Sequence, residues 1–370
     1  MRIMTIFGTR PEAIKMAPVV KRIAAASDCT PIVCVTGQHR RMLDQVLTFF
    51  EVRPDYDLDV MSPAQRLNRL SSKILERMDA VLSEAAPDRV LVHGDTTTAA
   101  VAAMAAFHCR IPVGHVEAGL RTGDLTQPWP EEYNRRVVDI TSDLLFAPTE
   151  TARRNLLAEN LGPKRIPVTG NTVVDALFDT LARIEGDRRL KASLAARFAF
   201  LDTGRRVVLV TGHRRENFGP GLSDICAALA RIAERDDVEL VYPVHLNPSV
   251  RAPVMTMLGG RPRIHLIDPL DYVPFVYLMS SSALILTDSG GIQEEAPSLG
   301  KPVLVLREVT ERPEALAAGT VRLVGTDPDR IVEEVSRHLD DPELLIEAAN
   351  RTNPYGDGKA SHRIVGEILG

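Results

Sequence analysis

The 370-residue chain has few cysteines, few aromatic residues and no excess of positive charge. Its four cysteines (Cys29, Cys34, Cys109 and Cys226) are scattered without a C-x-x-C pair, which favours reduced thiols and argues against a zinc site. A formal net charge of −5 argues against a general nucleic-acid-binding protein. No apolar run reaches the ~18–20 residues that a membrane helix requires. A strand is predicted from Arg2 onward, so we expect no signal peptide and a cytoplasmic location.

Three common nucleotide and metal signatures are also missing. The chain contains no G-x-G-x-x-G, no G-x-x-x-x-G-K-[ST] and no H-E-x-x-H. Their absence argues against a Rossmann-type nicotinamide enzyme, a P-loop ATPase and a zinc peptidase. We therefore expect neither a redox cofactor nor a metal.

Short apolar runs alternate with longer helical segments along the whole chain. The predicted strands are Ile3–Phe7, Pro31–Thr36, Arg89–His93, Val113–Val116, Leu144–Ala147, Val207–Thr211, Glu239–Pro243, Ile264–Ile267, Leu284–Thr287 and Pro302–Leu306. The clearest predicted helices are Glu12–Ala26, Gln65–Ala85 and Gly221–Arg235. This alternation predicts an α/β protein whose doubly wound parallel sheets carry helices on both faces. Ligands of such sheets bind outside the carboxyl ends of the strands.

The length favours two domains, because 370 residues exceed the size at which a single core stops growing. We predict a first domain over residues 1–169 and a second over residues 170–353. A sharp connection at Asn353–Gly358 breaks the preceding helix, since it contains one proline and two glycines. We expect the last amphipathic segment to cross back, so that residues 354–370 join the first domain.

Two strand-to-helix corners predict anion binding. The run Leu284–Thr287 ends at Asp288-Ser289-Gly290-Gly291, and a helical segment follows. Backbone N–H groups and the helix dipole at such a corner attract anions, and glycines let a phosphate come close to the backbone. A second corner spans Gly8–Glu12, with Lys15 in the first helical turn. Two corners of this kind predict a phosphorylated ligand held between two similar halves.

Three acidic residues follow predicted strands or a stiff loop. Asp95 stands after Arg89–His93, where it either caps the next helix or serves the site. Glu117 stands after Val113–Val116, and glutamate is a poor helix cap, so a functional role is favoured there. Glu131 follows Pro130 in a loop with the only tryptophan; like Glu132, it is either a first-turn acid that favours the dipole or a functional group.

Basic residues follow strands of the second half. His213 and two arginines come directly after Val207–Thr211, which favours contact with phosphate over a solvated basic turn. The mirrored position in the first half carries Arg10. A charged segment, Arg307–Glu314, follows the strand Pro302–Leu306. Such a run is usually a solvated face, but its position at a strand end makes it a candidate for the site.

These segments together resemble one family, the non-hydrolysing UDP-N-acetylglucosamine 2-epimerases of bacteria. The resemblance extends over essentially the whole chain. It rests on Gly8–Glu12, Val92–Thr98, Gly114–Thr122, Thr211–Asn217, Val241–Pro248, Thr287–Gly300, Thr310–Glu314 and Asn353–Gly358. So many motifs in one order are highly specific.

The resemblance implies a glycosyltransferase-B type fold, in which two Rossmann-like domains face a central cleft that holds the site. It implies an isomerase that interconverts UDP-GlcNAc and UDP-ManNAc without a cofactor, through elimination of UDP to 2-acetamidoglucal and re-addition. The product would supply ManNAc-type sugars for cell-surface polysaccharides. The family further implies a homodimer that contacts neither nucleic acid nor membrane.

The resemblance also implies roles for individual residues. Asp95, Glu117 and Glu131 match the catalytic carboxylates, and His213 is counted with this group. The residues that would bind UDP and the sugar are Arg10, Lys15, Phe275, Ser289, Gly290, Gly291, Glu295 and Arg312. Gln38, His39 and Gln65 match positions linked to a second UDP-GlcNAc site that activates some bacterial members.

Other functions stay open at this point. A glycosyltransferase of the same fold would require an acceptor and would not exchange the C2 proton. A hydrolysing relative would release free ManNAc, and a nucleotide-sugar sensor would have no use for three carboxylates. The trio Asp95, Glu117 and Glu131 favours the epimerase.

Overall fold

The computed structural model describes residues 1–37, 40–62, 65–161 and 165–370, which form two compact units. Unit 1 comprises Met1–Ala176 and Tyr355–Gly370, and unit 2 comprises Leu177–Pro354. The division falls inside a continuous helix, Thr172–Gly186, whereas the sequence predicted a boundary ahead of that helix. Gly170, in the turn before this helix, has a positive φ. The glycine marks a break in the sequence, but the residues on both sides of it belong to unit 1.

Unit 1 contains a parallel sheet with helices. Its strands are β1 (Arg2–Phe7), β2 (Thr30–Val35), β3 (Tyr56–Asp57), β4 (Arg89–His93), β5 (Val113–Val116) and β6 (Leu144–Phe146). Its helices are α1 (Arg10–Ala24), α2 (Arg40–Phe50), α3 (Leu67–Ala85), α4 (Thr97–His108), α5 (Glu131–Thr141), α6 (Glu150–Ala158) and the start of α7 (Thr172–Gly186).

Unit 2 repeats this plan. Its strands are β7 (Arg206–Thr211), β8 (Val238–Pro243), β9 (Ile264–Ile267), β10 (Leu284–Thr287), β11 (Val303–Val305) and β12 (Val321–Leu323). Its helices are α8 (Arg188–Arg197), α9 (Pro220–Ile232), α10 (Pro248–Leu258), α11 (Tyr272–Ser281), α12 (Gly290–Glu295), α13 (Pro313–Ala317), α14 (Pro328–Asp340) and α15 (Pro342–Asn350), with 3-10 turns at Arg215–Asn217 and Ala296–Leu299. The last helix, α16 (Ala360–Leu369), belongs to unit 1.

Each sheet has six strands in the doubly wound order. The order is β3-β2-β1-β4-β5-β6 in unit 1 and β12-β11-β10-β7-β8-β9 in unit 2, and the neighbouring strands pair in parallel. The predicted pair of Rossmann-like parallel sheets is therefore confirmed. The direction of winding reverses between β1 and β4 and between β7 and β10, and such reversal points are where these sheets bind ligands.

Burial explains why the central strands were predictable and two edge strands were not. Residues 3–7 of β1 and 207–211 of β7 are buried, so these strands read as continuous apolar runs. β3 has two residues, and β12 has an exposed arginine at its centre, so neither leaves an apolar run in the sequence. In unit 1 the alanine-rich helix α4 packs closely against α3 and α5, because small side chains let helices approach.

The start of α16 is fixed within unit 1 by one buried carboxylate. Asp175 accepts hydrogen bonds from the backbone N–H groups of Ala360 (3.0 Å) and Ser361 (2.8 Å) and from the Ser361 hydroxyl (2.6 Å). These are N–H groups that a helix start leaves without an intrahelical partner. Burial raises the pKa of Asp175, against the effect of these bonds. Among the described residues, no helix has the length and apolar character needed to cross a membrane.

We expect Asp175→Ala to lower the free energy of unfolding by about 1–3 kcal/mol, because buried N–H groups at the start of α16 lose their acceptor. The control is Glu367→Ala on the same helix, which removes an exposed ion pair with Arg165 and should cost under about 0.5 kcal/mol. Urea unfolding followed by circular dichroism measures both. Equal stability of the two variants would contradict the anchoring role of Asp175.

Candidate active site

In unit 1 the corner after β1 is organised by a buried carboxylate. Glu12 accepts hydrogen bonds from the N–H groups of Gly8 (3.1 Å) and Thr9 (2.8 Å), and its other oxygen accepts from the hydroxyl of Thr96 (2.7 Å). Thr9 in turn caps α1, so the two residues form a capping box. Burial raises the pKa of Glu12, against these hydrogen bonds. The corner after β1 is thereby tied to the loop after β4.

Glu117 follows β5 in a conformation that is unusual for a residue with a side chain. Its φ is +69°, in the left-handed region, which costs energy outside glycine. Its Oε1 accepts from Nζ of Lys15 at 2.5 Å and from Nδ2 of Asn171 at 2.7 Å. Its Oε2 lies 3.2 Å from Nε2 of His93. A strained, largely buried carboxylate held by three polar groups is typical of a reactive site.

Asp95 is held by α5. Its carboxylate is paired with the guanidinium of Arg135, and its backbone carbonyl accepts from Nδ2 of Asn134 at 2.9 Å. The capping interpretation of Asp95 is wrong, because Thr96 is the residue that caps α4, accepting from the N–H of Ala99. Asp95 is partly exposed, so its carboxylate can meet a ligand.

Glu131 and Glu132 begin α5 and have different surroundings. Glu132 is fully buried, accepts from the N–H of Thr122 at 3.0 Å and pairs with Arg135 and Arg136. It therefore holds the preceding loop in place. Glu131 is partly exposed and has no hydrogen bond or ion pair to any described residue. Of the two neighbouring acids, Glu131 is thus the one available to a ligand.

His115 is a residue of the core. It is fully buried, with Nδ1 2.6 Å from Oδ1 of Asp139 and Nε2 2.8 Å from the carbonyl of Gly94. Arg121 pairs with Asp139 at 2.7 Å. This chain of contacts fixes the turn that presents Asp95.

Arg10 and Lys15, the two cations of unit 1 that were predicted to approach phosphate, have different contacts. Arg10 is the first residue of α1, half-buried, with no hydrogen bond or ion pair to any described residue. Its guanidinium can therefore meet an anion directly. The ammonium of Lys15 instead lies against Glu117, so it acts on the carboxylate in this structure.

In unit 2 a second buried carboxylate organises the corner after β7. Asp288 is 1% exposed, and its Oδ2 accepts from the N–H groups of His213 (2.9 Å) and Arg214 (2.8 Å). Its Oδ1 lies 3.5 Å from Nδ1 of His213. Burial lowers the pKa of His213, and its ring stacks on that of His245 at 5.5 Å. The loop after β10 thus positions the histidine predicted to contact phosphate.

Two arginines converge on the glycines that follow β10. A Cβ added to Gly290 would lie 3.5 Å from Nη2 of Arg312 and 3.7 Å from Nη2 of Arg214. Ser289 and Gly290 begin α12, and Gly291 is exposed. Arg312 is itself fixed by Glu294, whose Oε1 accepts from its Nε at 2.5 Å. The guanidinium groups and the bare backbone make a cradle that suits a diphosphate.

Tyr272 links Glu295 to α11, the helix that also carries Phe275. The hydroxyl of Tyr272 donates to Oε2 of Glu295 at 3.1 Å, and burial raises the pKa of Tyr272 well above its usual value. Phe275 lies three residues further along α11, on the same face of that helix as Tyr272. A carboxylate beside an aromatic ring is a combination that can bind a ribose and a base.

The predicted effector residues are described only in part. Gln38 and His39 lie outside the described residues. Gln65 accepts from the N–H of Ser62 at 3.0 Å, while its buried Nε2 has no partner among the described residues. Within the described part of the chain, no group of three or more His, Cys, Asp or Glu side chains could hold a metal ion.

Sequence reasoning missed most of the residues that hold the others in place. His93, Asn171 and Arg135 surround the carboxylates of unit 1, and Asp288 organises the corner in unit 2. A weak signal existed for Asp288, which lies inside a quoted corner motif, whereas Arg214 is one of the two arginines predicted to contact phosphate. Asn171 had none, since it lies in a loop that the sequence marks only as a boundary.

Comparison with known proteins gives the family. A family model described as UDP-N-acetylglucosamine 2-epimerase matches residues 21–369. The UDP-N-acetylglucosamine 2-epimerase of Escherichia coli (strain K12) is 57% identical over 366 residues, covering 99% of this chain and 97% of that protein.

Solved structures agree with this match. The crystal structure of the Neisseria meningitidis UDP-GlcNAc 2-epimerase bound to UDP-GlcNAc is 50% identical, with a TM-score of 0.91 and 100% coverage of both chains. The Methanocaldococcus jannaschii UDP-GlcNAc 2-epimerase in complex with UDP-GlcNAc and UDP is 33% identical, with a TM-score of 0.81 and coverage of 100% and 99%. The chain therefore belongs to the UDP-N-acetylglucosamine 2-epimerase family of isomerases.

Proposed function

We propose that the protein interconverts UDP-GlcNAc and UDP-ManNAc by inverting the sugar at C2, through elimination and re-addition of UDP. Family membership supports this substrate, and two relatives of the same fold bind UDP-GlcNAc. The observation that carries the proposal is the strained carboxylate of Glu117, held at the carboxyl end of β5 beside a lysine. A protein that only bound UDP would not require such a group.

The chemistry explains why carboxylates and cations are both required. The C2 proton of a sugar is not acidic until the C1–O bond to UDP breaks and leaves an oxocarbenium-like C1. A carboxylate then takes the C2 proton, which gives 2-acetamidoglucal and UDP. In the re-addition step a carboxylic acid gives a proton to the opposite face of C2, and the diphosphate oxygen forms the C1–O bond again. Proton transfer on each face therefore requires a separate acid or base.

Asp95, Glu117 and Glu131 are the groups that we propose for proton transfer. Lys15 provides a counter-charge to Glu117, and Arg135 provides one to Asp95, whereas Glu131 pairs with no described residue. The three carboxylates thus have three different surroundings, as expected where separate groups act as acid and base in one reaction.

The cationic groups stabilise the departing diphosphate, where negative charge develops. In unit 2 we propose His213, Arg312, Arg214 and the backbone at Ser289, Gly290 and Gly291 for this role, because both guanidinium groups border Gly290. In unit 1 Arg10 has no partner among the described residues and is proposed to join them. Glu295 would bind the ribose hydroxyls, and Phe275 would lie against the base. The product would serve cell-surface polysaccharide synthesis.

The proposed reaction is tested by proton NMR of the protein with UDP-GlcNAc in D2O. We expect UDP-ManNAc to form with deuterium at C2, because the proton removed exchanges with solvent before re-addition. Free ManNAc with UDP would indicate a hydrolysing enzyme. No change with UDP still bound would indicate a glycosyltransferase without its acceptor, or a sensor, and would overturn the proposal.

Replacing each proposed acid or base separately tests the carboxylates. We expect Asp95→Asn, Glu117→Gln and Glu131→Gln each to lower kcat by at least ~100-fold, the usual scale for losing an acid or base. The matched control is Glu76→Gln, an exposed residue in the middle of α3, which should keep most of its turnover. Near-normal turnover of all three site variants would contradict this mechanism.

The phosphate cradle is tested by Gly290→Ala. The new methyl group meets only ordinary contacts, so the fold is retained, but it fills the space between two guanidinium groups and the backbone. We expect the Kd for UDP to rise about tenfold or more, corresponding to ~1.4 kcal/mol. The control is Gly186→Ala, which meets nothing within 4 Å. Both values are measured by isothermal titration calorimetry. The same Kd for UDP in the two variants would contradict a role for Gly290 in phosphate binding.

A further inference from the structure

The imidazole of one buried histidine in unit 1 makes no hydrogen bond to another described residue. His93 is the last residue of β4 and only 4% exposed, and neither Nδ1 nor Nε2 has a hydrogen-bond partner in the described part of the chain. Buried polar atoms are nearly always paired, because an unpaired group loses water without compensation. An unpaired imidazole beside a reactive carboxylate therefore points to a role beyond packing.

The ring of His93 faces one oxygen of Glu117. Its Nε2 lies 3.2 Å from Oε2, within the distance of a hydrogen bond but at an angle that does not make one. The other oxygen, Oε1, accepts from Lys15 and Asn171. A small rotation of the imidazole would direct an Nε2–H bond at Oε2, so that both carboxylate oxygens are held by side chains.

The backbone on both sides of this contact is fixed. Glu117 has a φ of +69° and Gly94, which follows His93, has a φ of +65°. The carbonyl of Gly94 is held by His115, whose other nitrogen is held by Asp139. A Cβ added to Gly94 would lie 3.6 Å from Oε2 of Glu117, so the turn and the carboxylate are in direct proximity. The approach of His93 to Glu117 is therefore built into two anchored turns.

Burial keeps the imidazole of His93 neutral. It lowers the pKa to about 3; Glu117 opposes this effect, Lys15 and His115 add to it, and, least of all, the backbone of His93 itself opposes it. A neutral imidazole carries one N–H and one lone pair, so it can donate one hydrogen bond without adding a charge. Such a donor can hold the carboxylate without forming a second ion pair beside that of Lys15.

We propose that His93 is a positioning residue that donates Nε2–H to Oε2 of Glu117 during the reaction. The hydrogen bond fixes the carboxylate relative to the sugar. It also favours the ionised over the protonated carboxylate, and so limits how firmly Glu117 keeps the proton taken from C2. This inference rests on the proposed function, in which Glu117 exchanges that proton.

The test compares two variants that keep the size of the side chain. His93→Leu removes the donor, and His93→Gln places an amide N–H near the position of Nε2. We expect His93→Leu to lower kcat by about 10–100-fold, the scale of losing a hydrogen bond to a charged group, with KM changed by less than about threefold. His93→Gln should restore most of the loss. A control, His362→Leu, removes an exposed imidazole on α16 and should not change kcat.

The pH dependence separates positioning from packing. Loss of the donor makes Glu117 harder to ionise, so the limb of the kcat/KM profile that reports Glu117 should move to higher pH in His93→Leu and return in His93→Gln. The charged and titratable groups that face His93 are Glu117, Lys15 and His115, and they are unchanged in both variants. An unmoved profile in His93→Leu would overturn the proposal.

A double-mutant cycle distinguishes failure of this inference from failure of the proposed function. In a Glu117→Gln background, His93→Leu should lower kcat by less than about threefold, because the group that it positions is already gone. If His93→Leu lowers kcat by the same factor in the Glu117→Gln background as in the unsubstituted protein, the inference is overturned. Normal turnover of Glu117→Gln alone would overturn the role of Glu117, whereas a slow Glu117→Gln with a normal His93→Leu would overturn only the role of His93.

Nitrogen-15 NMR of the unsubstituted protein tests the same point without activity. The His93 signals are assigned by their loss in His93→Gln. We expect the neutral Nε2–H tautomer from about pH 6 to pH 8, where an ordinary histidine titrates. A charged imidazolium or an Nδ1–H tautomer in this range would overturn the proposal, even if the leucine variant did not fold.

Discussion

Each unit depends on one buried carboxylate that joins the corner after its first strand to the corner after its fourth. In unit 1 Glu12 accepts the N–H groups of Gly8 and Thr9 and also the hydroxyl of Thr96. In unit 2 Asp288 accepts the N–H groups of His213 and Arg214. The strand order reverses at both places, so two loops would otherwise diverge there. The carboxylate holds the loops together and leaves their side chains free to meet a ligand.

The charges in unit 1 are arranged so that each carboxylate has its own environment. Glu12 and Glu132 are buried and bind backbone N–H groups, so they are structural. Glu117 is held by a lysine and an asparagine and lies beside a histidine, whereas the partly exposed carboxylate of Glu131 pairs with no described residue. Groups of one type thus have different contacts and different exposure, which suits a reaction with separate acid and base steps.

In unit 2 acidic side chains hold the two arginines that border Gly290. Arg312 is paired with Glu294, and Arg214 lies 3.7 Å from Glu311. Both still approach Gly290, where the absence of a side chain leaves the backbone bare. Acidic partners fix the arginines at the rim of the cradle, so a diphosphate would meet donors that are already oriented.

The two parallel sheets, their central strands and the corners at the strand ends could be predicted from the residues alone, because buried strands and glycine turns leave local patterns. The motifs of the family were also visible, and with them the candidate carboxylates Asp95 and Glu117. The surroundings of these carboxylates emerge from the folded chain, since Lys15, His93 and Asn171 reach Glu117 from distant positions. Such contacts follow from the strand order, which brings separated loops to one edge and leaves no pattern in the local sequence.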